Sequence, residues 1–350
     1  MNEVTSNILD FDFDELKQAL EQTGEPEFRA KQVWNWLYQG VDSFSDMTNL
    51  PKTFREKLSE HFYIGGIEIT KRLISEKDGT RKYLFGLKDG KVVEGVLMKY
   101  HYGNSVCLST QIGCRMGCKF CASTGLGIDR NLAVGEMIAQ IMKIQQDIGE
   151  RVSHVVLMGI GEPFDNYENV IKFLRRLNAS DTFAVSYRRM TVSTCGLVPE
   201  ILRFSKEGIP VNLSISLHAP NDDIRKEIMP VAKRYTFDKI LSACHIYTQE
   251  TGRRITFEYT LIDGLNDADE HAKELSEKLT GLLCHVNLIP VNSVKGTGYI
   301  KSKQDRVLSF KNILDKKHIP VTVRRELGSD ISAACGQLRK NTIEDDGAVH

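Results

Sequence analysis

From about residue 104 onward, short runs rich in apolar and β-branched residues alternate with longer segments whose apolar positions recur every three or four residues. The runs "SVCLSTQ", "HVVLMGI", "RMTVSTC", "VNLSISL", "ITFEYTL" and "HVNLIPV" read as short buried strands. Between them, "GEMIAQIMKIQQDIG", "YENVIKFLRRLN", "VPEILRFSKEG", "FDKILSACHIYTQE" and "DADEHAKELSEKL" read as helices. Six strand–helix units in succession imply a parallel sheet with helices outside it. A sheet of that size tends to curl, so the expected fold is α/β, a partial (β/α)6 barrel, with "IPVTVRR" as a further strand that closes the series.

The upstream pattern differs. "EFRAKQVWNWLYQGVDSFSDMTNLPKTFREKLSEHF" carries apolar residues at helical spacing (Val33, Trp36, Leu37), interrupted at Gly40 and Pro51, as in a small bundle of short helices. "TRKYLFGLKDGKVVEGVLMKY" then alternates on either side of Asp89 and Gly90, as a hairpin does. The expected division is a helical accessory domain with a strand-rich connector over 1–98, a catalytic domain over 99–335 and a tail over 336–350.

Charge and composition narrow the partners. Lys and Arg number 46 and so do Asp and Glu, so zero net charge gives a nucleic-acid reading no encouragement by itself. Basic pairs at Lys71–Arg72, Arg81–Lys82, Arg188–Arg189, Arg253–Arg254 and Arg324–Arg325 leave room for local patches. The first residues are acidic and no run approaches the ~18 apolar residues of a spanning helix, so a soluble, cytoplasmic protein with no membrane partner is expected. In a reducing cytosol its eight cysteines are expected to serve metals or catalysis more than structural disulfides.

Three of those cysteines fall together in "GCRMGCKFCASTG", as Cys114, Cys118 and Cys121. A structural zinc site needs four ligands, and no second pair lies nearby. Their place is the loop that leaves the first strand of the parallel series, and the loops at that end of a βα barrel build its active site. Three thiolates can hold three irons of a 4Fe-4S cluster and leave the fourth open to a substrate. At later strand ends come "GIGEP", with Gly161 and Glu162, then Ser193, then Ser216 and His218, then Asn292.

The Cys-x3-Cys-x2-Cys spacing, with Phe120 before the last cysteine, resembles the signature of radical S-adenosylmethionine (SAM) enzymes. More closely, "CLSTQIGCRMGCKFC", "MGIGEP", "MTVSTCGLVP", "SLHAPND", "HVNLIPVN" and "DISAACGQLR" resemble the RlmN/Cfr family of RNA adenosine methyltransferases, over about residues 10 to 340. That resemblance implies a radical SAM barrel with a 4Fe-4S cluster on Cys114, Cys118 and Cys121, and SAM bound by Gly161, Glu162, Ser193, Ser216, Leu217, His218 and Asn292. It implies methylation at carbon 2 of an adenosine of 23S rRNA in the peptidyl-transferase centre, with tRNA as a second substrate in some members. Relatives of the Cfr branch modify carbon 8 and usually show Ala where this chain has Pro163. The scheme implied uses two SAM molecules. Cys335 is methylated by one, and a radical made from the other takes a hydrogen from that methyl group. The carbon radical adds to the base, Glu94 removes the C2 proton, and Cys107 attacks the sulfur of Cys335, leaving a disulfide. An electron donor such as flavodoxin or ferredoxin and a monomeric state are further expectations.

Two readings from other classes stand beside this one. A radical SAM activating enzyme would need neither Cys335 nor the helical N-terminal domain, and a zinc-containing RNA-binding module would need no SAM site. Cys195, Cys244 and Cys284 match no family role and are read as structural, as are His101, His154, His245, His271 and His285.

Overall fold

A computed structural model describes residues 5–124, 127–292, 297–334 and 336–338. Near the N-terminus β1 (Ser6–Asn7) pairs with β2 (Phe62–Tyr63), and between them lie α1 (Phe13–Gln22), α2 (Phe28–Tyr38) and α3 (Lys52–His61). Asp12 and Glu15 form a capping box at the start of α1, with bonds of 2.9 and 2.7 Å that satisfy two otherwise orphaned N–H groups. In α2 the buried face is Ala30, Val33, Trp34 and Leu37. Trp34 therefore takes the inward place expected of Trp36, which is only partly buried and donates its indole N–H to Asn49. The interruptions fall as expected, with Gly40 at φ +86 just after α2 and Pro51 capping α3.

The strands β3 (Ile67–Ile74), β4 (Arg81–Leu87), β5 (Val92–Tyr100) and β6 (Gly103–Cys107) form an antiparallel meander. Next come β7 (Gln111–Gly113) and β8 (Ile128–Asn131), a small hairpin that the sequence pattern did not suggest. Then follow β9 (Val152–Leu157), β10 (Met190–Thr194), β11 (Asn212–Ser216), β12 (Ile255–Leu261), β13 (Cys284–Pro290) and β14 (Val321–Val323). From β6 through β9 to β14 every pairing is parallel. The strand order β14-β13-β12-β11-β10-β9-β6-β5-β4-β3 makes one ten-stranded sheet, so the connector strands extend the barrel sheet itself.

Helices α4 (Val134–Ile148), α5 (Tyr167–Asn178), α6 (Val198–Phe204), α7 (Asp222–Ile228), α8 (Phe237–Thr251), α9 (Asp269–Leu279) and α10 (Gln304–Lys316) fill the crossovers. In α4 the buried positions Val134, Met137, Ile138 and Ile141 recur at helical spacing, and Gly149 ends it at φ +65. One face of the sheet, with Val106, Val155, Val192, Ile215 and Phe257, joins the main core. The other face is polar, alternating as Thr191 and Ser193 in β10, then Ser214 and Ser216 in β11, then Thr256, Glu258 and Thr260 in β12. A parallel sheet covered on both faces would read as continuous apolar runs. Here the inner face lines cavities.

Candidate active site

The cysteine loop is fixed at its base by the β7–β8 hairpin. Gly113 sits at φ +79, and a Cβ there would lie 2.0 Å from the carbonyl oxygen of Gly127, so only glycine lets the two strands close. The Cys114 N–H then donates to that same carbonyl at 3.0 Å. Cys114, Cys118 and Cys121 all line one cleft of about 960 Å³ at the C-terminal ends of the strands. Burial pushes the Cys114 thiol up to about 12 and raises that of Cys118 as well. Coordination to iron deprotonates a thiol outright, so burial that disfavours a lone thiolate is compatible with a ligand role. Among the described residues no group of three His, Cys, Asp or Glu side chains is arranged around a single ion. Three thiols opening on one cleft, with no fourth His or Cys ligand beside them in the sequence, suit a cluster with an open iron better than a closed tetrahedral zinc site.

The opposite wall comes from the strand ends. Glu162 is almost wholly buried; its Oε2 accepts from the Cys195 N–H at 2.8 Å and its Oε1 from the Phe164 N–H at 3.1 Å. Burial raises its pKa, and those backbone donors oppose the rise. A carboxylate held this way can receive an ammonium group. Gly159 and Gly161 both line the cleft and also allow a close approach behind it. Added Cβ atoms would lie 2.5 Å from the Leu108 carbonyl oxygen and 2.7 Å from the Gln111 side chain, so these glycines let the turn pack on the exit from β6.

His218 has φ +58, a left-handed conformation that costs a non-glycine residue about 1–2 kcal/mol. Its surroundings hold it there. Its Nδ1 accepts from the Thr260 N–H at 2.9 Å and its carbonyl accepts from Asn266 Nδ2 at 2.7 Å. Burial, helped by Arg225, lowers its pKa to about 3, so the ring is neutral, with its proton on Nε2. Ser193 and Ser216 face each other with hydroxyls 3.4 Å apart, and Asn292 completes the lining. Leu217 does not line the cleft. Its side chain enters the core, its N–H donates to the Glu258 carbonyl, and its own carbonyl accepts from Arg225.

Glu94 and Cys107 lie beside this cleft rather than in it. Val96 of β5 pairs with Cys107 of β6, so Glu94, two residues from Val96, projects from the same face. Glu94 is fully buried and its carboxylate lies 2.9 Å from Lys82 Nζ. The same ammonium donates to the Ser332 carbonyl at 3.3 Å. Cys107 packs in an apolar cluster with Val96, Met98, Ala333 and Leu338.

Cys335 itself lies outside the described residues, but the chain on both sides of it is anchored. Asp330 accepts from Ser75 Oγ at 2.7 Å, and the Gly328 N–H donates to Asp78 at 2.9 Å. On the other side the Gly336 carbonyl accepts from Ala122 N, and the Leu338 carbonyl from Ser123 Oγ, both at 2.8 Å. Gly336 also lines the cleft. The segment thus bridges the cysteine loop and the Glu94–Cys107 face. Among the described residues no disulfide is formed.

Lys82→Met is expected to lower the free energy of unfolding by about 3–5 kcal/mol, because it strands a buried carboxylate. Urea denaturation of the variant, and of Lys82→Met/Glu94→Leu, checks this. The double variant should recover most of the loss, and an unaltered midpoint for Lys82→Met would refute the pairing.

Three residues escaped the sequence reading. Arg225 is fully buried and donates to the Cys195 carbonyl at 2.6 Å and the Leu217 carbonyl at 3.2 Å, tying together the loops after β10 and β11. Glu258, whose Oε2 accepts from Asn287 at 2.8 Å, and Cys195, read as structural, both line the cleft. The only signal for Glu258 was a charge within an apolar strand.

Comparison with known families adds two matches. Residues 6–64 match the ribosomal RNA large subunit methyltransferase N-terminal domain, and residues 108–275 match the radical SAM superfamily. The chain is 52% identical over 338 residues to the probable dual-specificity RNA methyltransferase RlmN of Clostridium novyi, covering 96% of this chain and 98% of that protein. It is 54% identical over 329 residues to the protein of the same name from Lachnoclostridium phytofermentans, covering 94% and 92%. A crystal structure of a radical SAM methyltransferase from Sphaerobacter thermophilus superposes with a TM-score of 0.93 at 43% identity, over 96% of this chain and all of that one.

Proposed function

The chain belongs to the RlmN family of radical SAM RNA methyltransferases, and from that premise we propose that it methylates carbon 2 of an adenosine in 23S rRNA, with tRNA as a second substrate. Membership in that family sets aside the activating-enzyme and zinc-module alternatives. One observation carries the reading: the residues flanking Cys335 are anchored between the cysteine-lined cleft and the face that bears Glu94 and Cys107.

Cys114, Cys118 and Cys121 would hold the 4Fe-4S cluster. Glu162, Ser193, Ser216, His218 and Asn292, with the backbone of Gly161, would bind SAM. Cluster and SAM together supply the methyl group and, by reductive cleavage of a second SAM, the means of removing a hydrogen atom from an unactivated carbon. Such chemistry is needed because C2 of adenine lies between two ring nitrogens, is electron-poor and cannot displace a methyl group from sulfur. The chain's own residues do the rest. Cys335 carries the methyl group and presents it to the base, Glu94 receives the C2 proton, and Cys107 attacks the sulfur of Cys335 to free the product. The buried Lys82 ammonium keeps the Glu94 carboxylate in place.

The division at 98 and 335 is functional in this scheme, since β3 to β5 share the barrel sheet. A flavodoxin or ferredoxin donor, a monomeric state and a cytoplasmic location complete the proposal. Among the described residues no helix is long and apolar enough to cross a membrane. Nucleoside mass spectrometry of RNA treated with the reconstituted enzyme and SAM should show 2-methyladenosine. Finding 8-methyladenosine instead would move the chain to Cfr-type regiochemistry.

A further inference from the structure

The barrel interior continues below the cleft. A second cavity of about 1220 Å³ shares Met158, Glu258 and Arg324 with the first, and Arg324 Nη1 lies 3.9 Å from Glu258 Oε2 in that dividing layer. The walls of the lower cavity are polar, with Thr191, Ser214, Thr256 and Asn287 from successive strands. Arg253 and Arg254 line it at the N-terminal end of β12.

Two further arginines, Arg188 and Arg189, lie just before β10 on the same rim. Among the described residues no carboxylate lies within ion-pair distance of Arg188, Arg189, Arg253 or Arg254, whereas Arg115, Arg130, Arg175 and Arg203 of the same domain are paired. Arg253 donates to Asn212 Oδ1 at 3.0 Å, and Asn212 donates to the Arg188 carbonyl at 2.9 Å, so the two arginine pairs are joined across β11. The acidic residues of the neighbouring loops are already engaged. Glu150 pairs with Lys99, Asp181 with Lys31 and Glu207 with Arg175, while Glu250 accepts from Ser205. The rim thus concentrates positive charge in a chain whose net charge is zero.

An aromatic ledge continues the same arc. Tyr102, just before β6, is 52% exposed, and its ring stacks on Tyr100 with centroids 4.8 Å apart and planes within 9°. His154 of β9 meets it edge-on at 5.0 Å. Because β6, β9, β10, β11 and β12 are consecutive in the sheet, Tyr102, His154, Arg189, Asn212 and Arg254 follow one another around the barrel's lower mouth.

We propose that this rim is where the RNA substrate docks, with phosphates on the two arginine pairs, an unpaired base stacked on Tyr102, and the target adenosine passing up through the lower cavity to the cleft. The inference rests on the reading of the chain as an RNA methyltransferase. Affinity for RNA comes chiefly from Lys and Arg contacts to phosphates, and single-stranded segments are recognised by stacking on exposed aromatic rings. Chemistry on a base requires that it leave the stack, and the polar walls of the lower cavity offer hydrogen-bond partners to the edge of an extruded base.

The test is anisotropy of a fluorescein-labelled RNA stem–loop carrying adenosine in its loop, titrated with the full chain over a range of salt. Arg188→Gln/Arg189→Gln and Arg253→Gln/Arg254→Gln should each weaken binding about tenfold at low salt and reduce the slope of log K against log salt by about 1.4, at about 0.7 per phosphate contact on single strands. Tyr102→Ala should weaken it roughly 5- to 100-fold with the slope unchanged. Lys239→Gln/Lys273→Gln, which removes the same charge from exposed positions on α8 and α9, should alter neither. Affinities and slopes equal to wild type in both arginine variants would overturn the inference while wild-type methylation of the stem–loop kept the RNA reading intact. A wild-type protein that neither binds nor methylates the stem–loop would overturn both.

Discussion

Cys107→Ala is expected to accumulate as a protein–RNA conjugate that survives denaturant and disappears on ribonuclease treatment. The substitution leaves Cys335, the cysteine loop and the walls of the cleft in place, so methylation of Cys335 and addition of its carbon to the base both proceed. Release does not. In the proposed scheme the adduct gives up the C2 proton to Glu94 and one electron to the oxidised iron–sulfur centre, and the Cys107 thiolate then attacks the sulfur of Cys335; the S–S bond forms as the S–C bond breaks, and the departing carbon takes a proton to become the product methyl group. No other described cysteine packs in the apolar cluster that holds Cys107, since Cys114, Cys118, Cys121 and Cys195 line the cleft and Cys244 and Cys284 belong to the main core. Attack needs the two residues within disulfide reach, with Cα atoms about 4.4–6.8 Å apart. The packing of Cys107 with Ala333 and Leu338 brings it to the segment that carries Cys335. Losing this small, 8% exposed side chain should cost little stability, so the defect should be read as trapping rather than unfolding. Cys335→Ala and the double variant should give no conjugate on a denaturing gel and no methylated RNA. A Cys107→Ala enzyme that turns over freely would remove Cys107 from the scheme.

Much of this architecture was legible in the sequence because its parallel strands are short, bounded and apolar on their outward faces. All six strand–helix units and the later strand at "IPVTVRR" are present, and the Asp89–Gly90 turn joins β4 to β5 as its alternation implied. What escaped depends on contacts distant along the chain. The β7–β8 hairpin exists because Gly113 can approach Gly127, which neither short segment advertises. Helices α7 and α10 were not read either, α7 because its seven residues give too few turns for a period to stand out.

The site divides in the same way. The three cysteines stand out by their spacing, and Glu162, Ser193, Ser216, His218 and Asn292 as polar residues at strand ends, and all of them share one cleft. Glu94 would have passed for a solvated strand residue on local pattern alone. It is instead fully buried against Lys82, a pairing set by the β4–β5 register and by the return of the C-terminal segment over both. Arg225 sits in "DDIRKEI", which reads as an exposed helix, yet it is wholly buried because the backbone carbonyls of Cys195, Ser216, Leu217 and Tyr235 converge on its guanidinium. The polar inner face was visible as alternation in "VNLSISL" and "RMTVSTC", but only the curvature of the sheet turns that alternation into a cavity.

The central claim is that the methyl group reaches RNA through Cys335 and loses a hydrogen on the way. Direct displacement would carry all three hydrogens of the SAM methyl group intact, whereas abstraction from the S-methyl group of Cys335 removes one before the carbon meets C2. The hydrogen that restores the methyl group at release arrives as a proton and is not one of the three that SAM carried. The most direct measurement is therefore mass spectrometry of nucleosides from RNA treated with the reconstituted enzyme and SAM bearing a fully deuterated methyl group. The account predicts 2-methyladenosine with two deuterium atoms and one hydrogen in its methyl group, and one deuterium recovered in 5'-deoxyadenosine. An intact trideuteromethyl group, with no deuterium in 5'-deoxyadenosine, would contradict it.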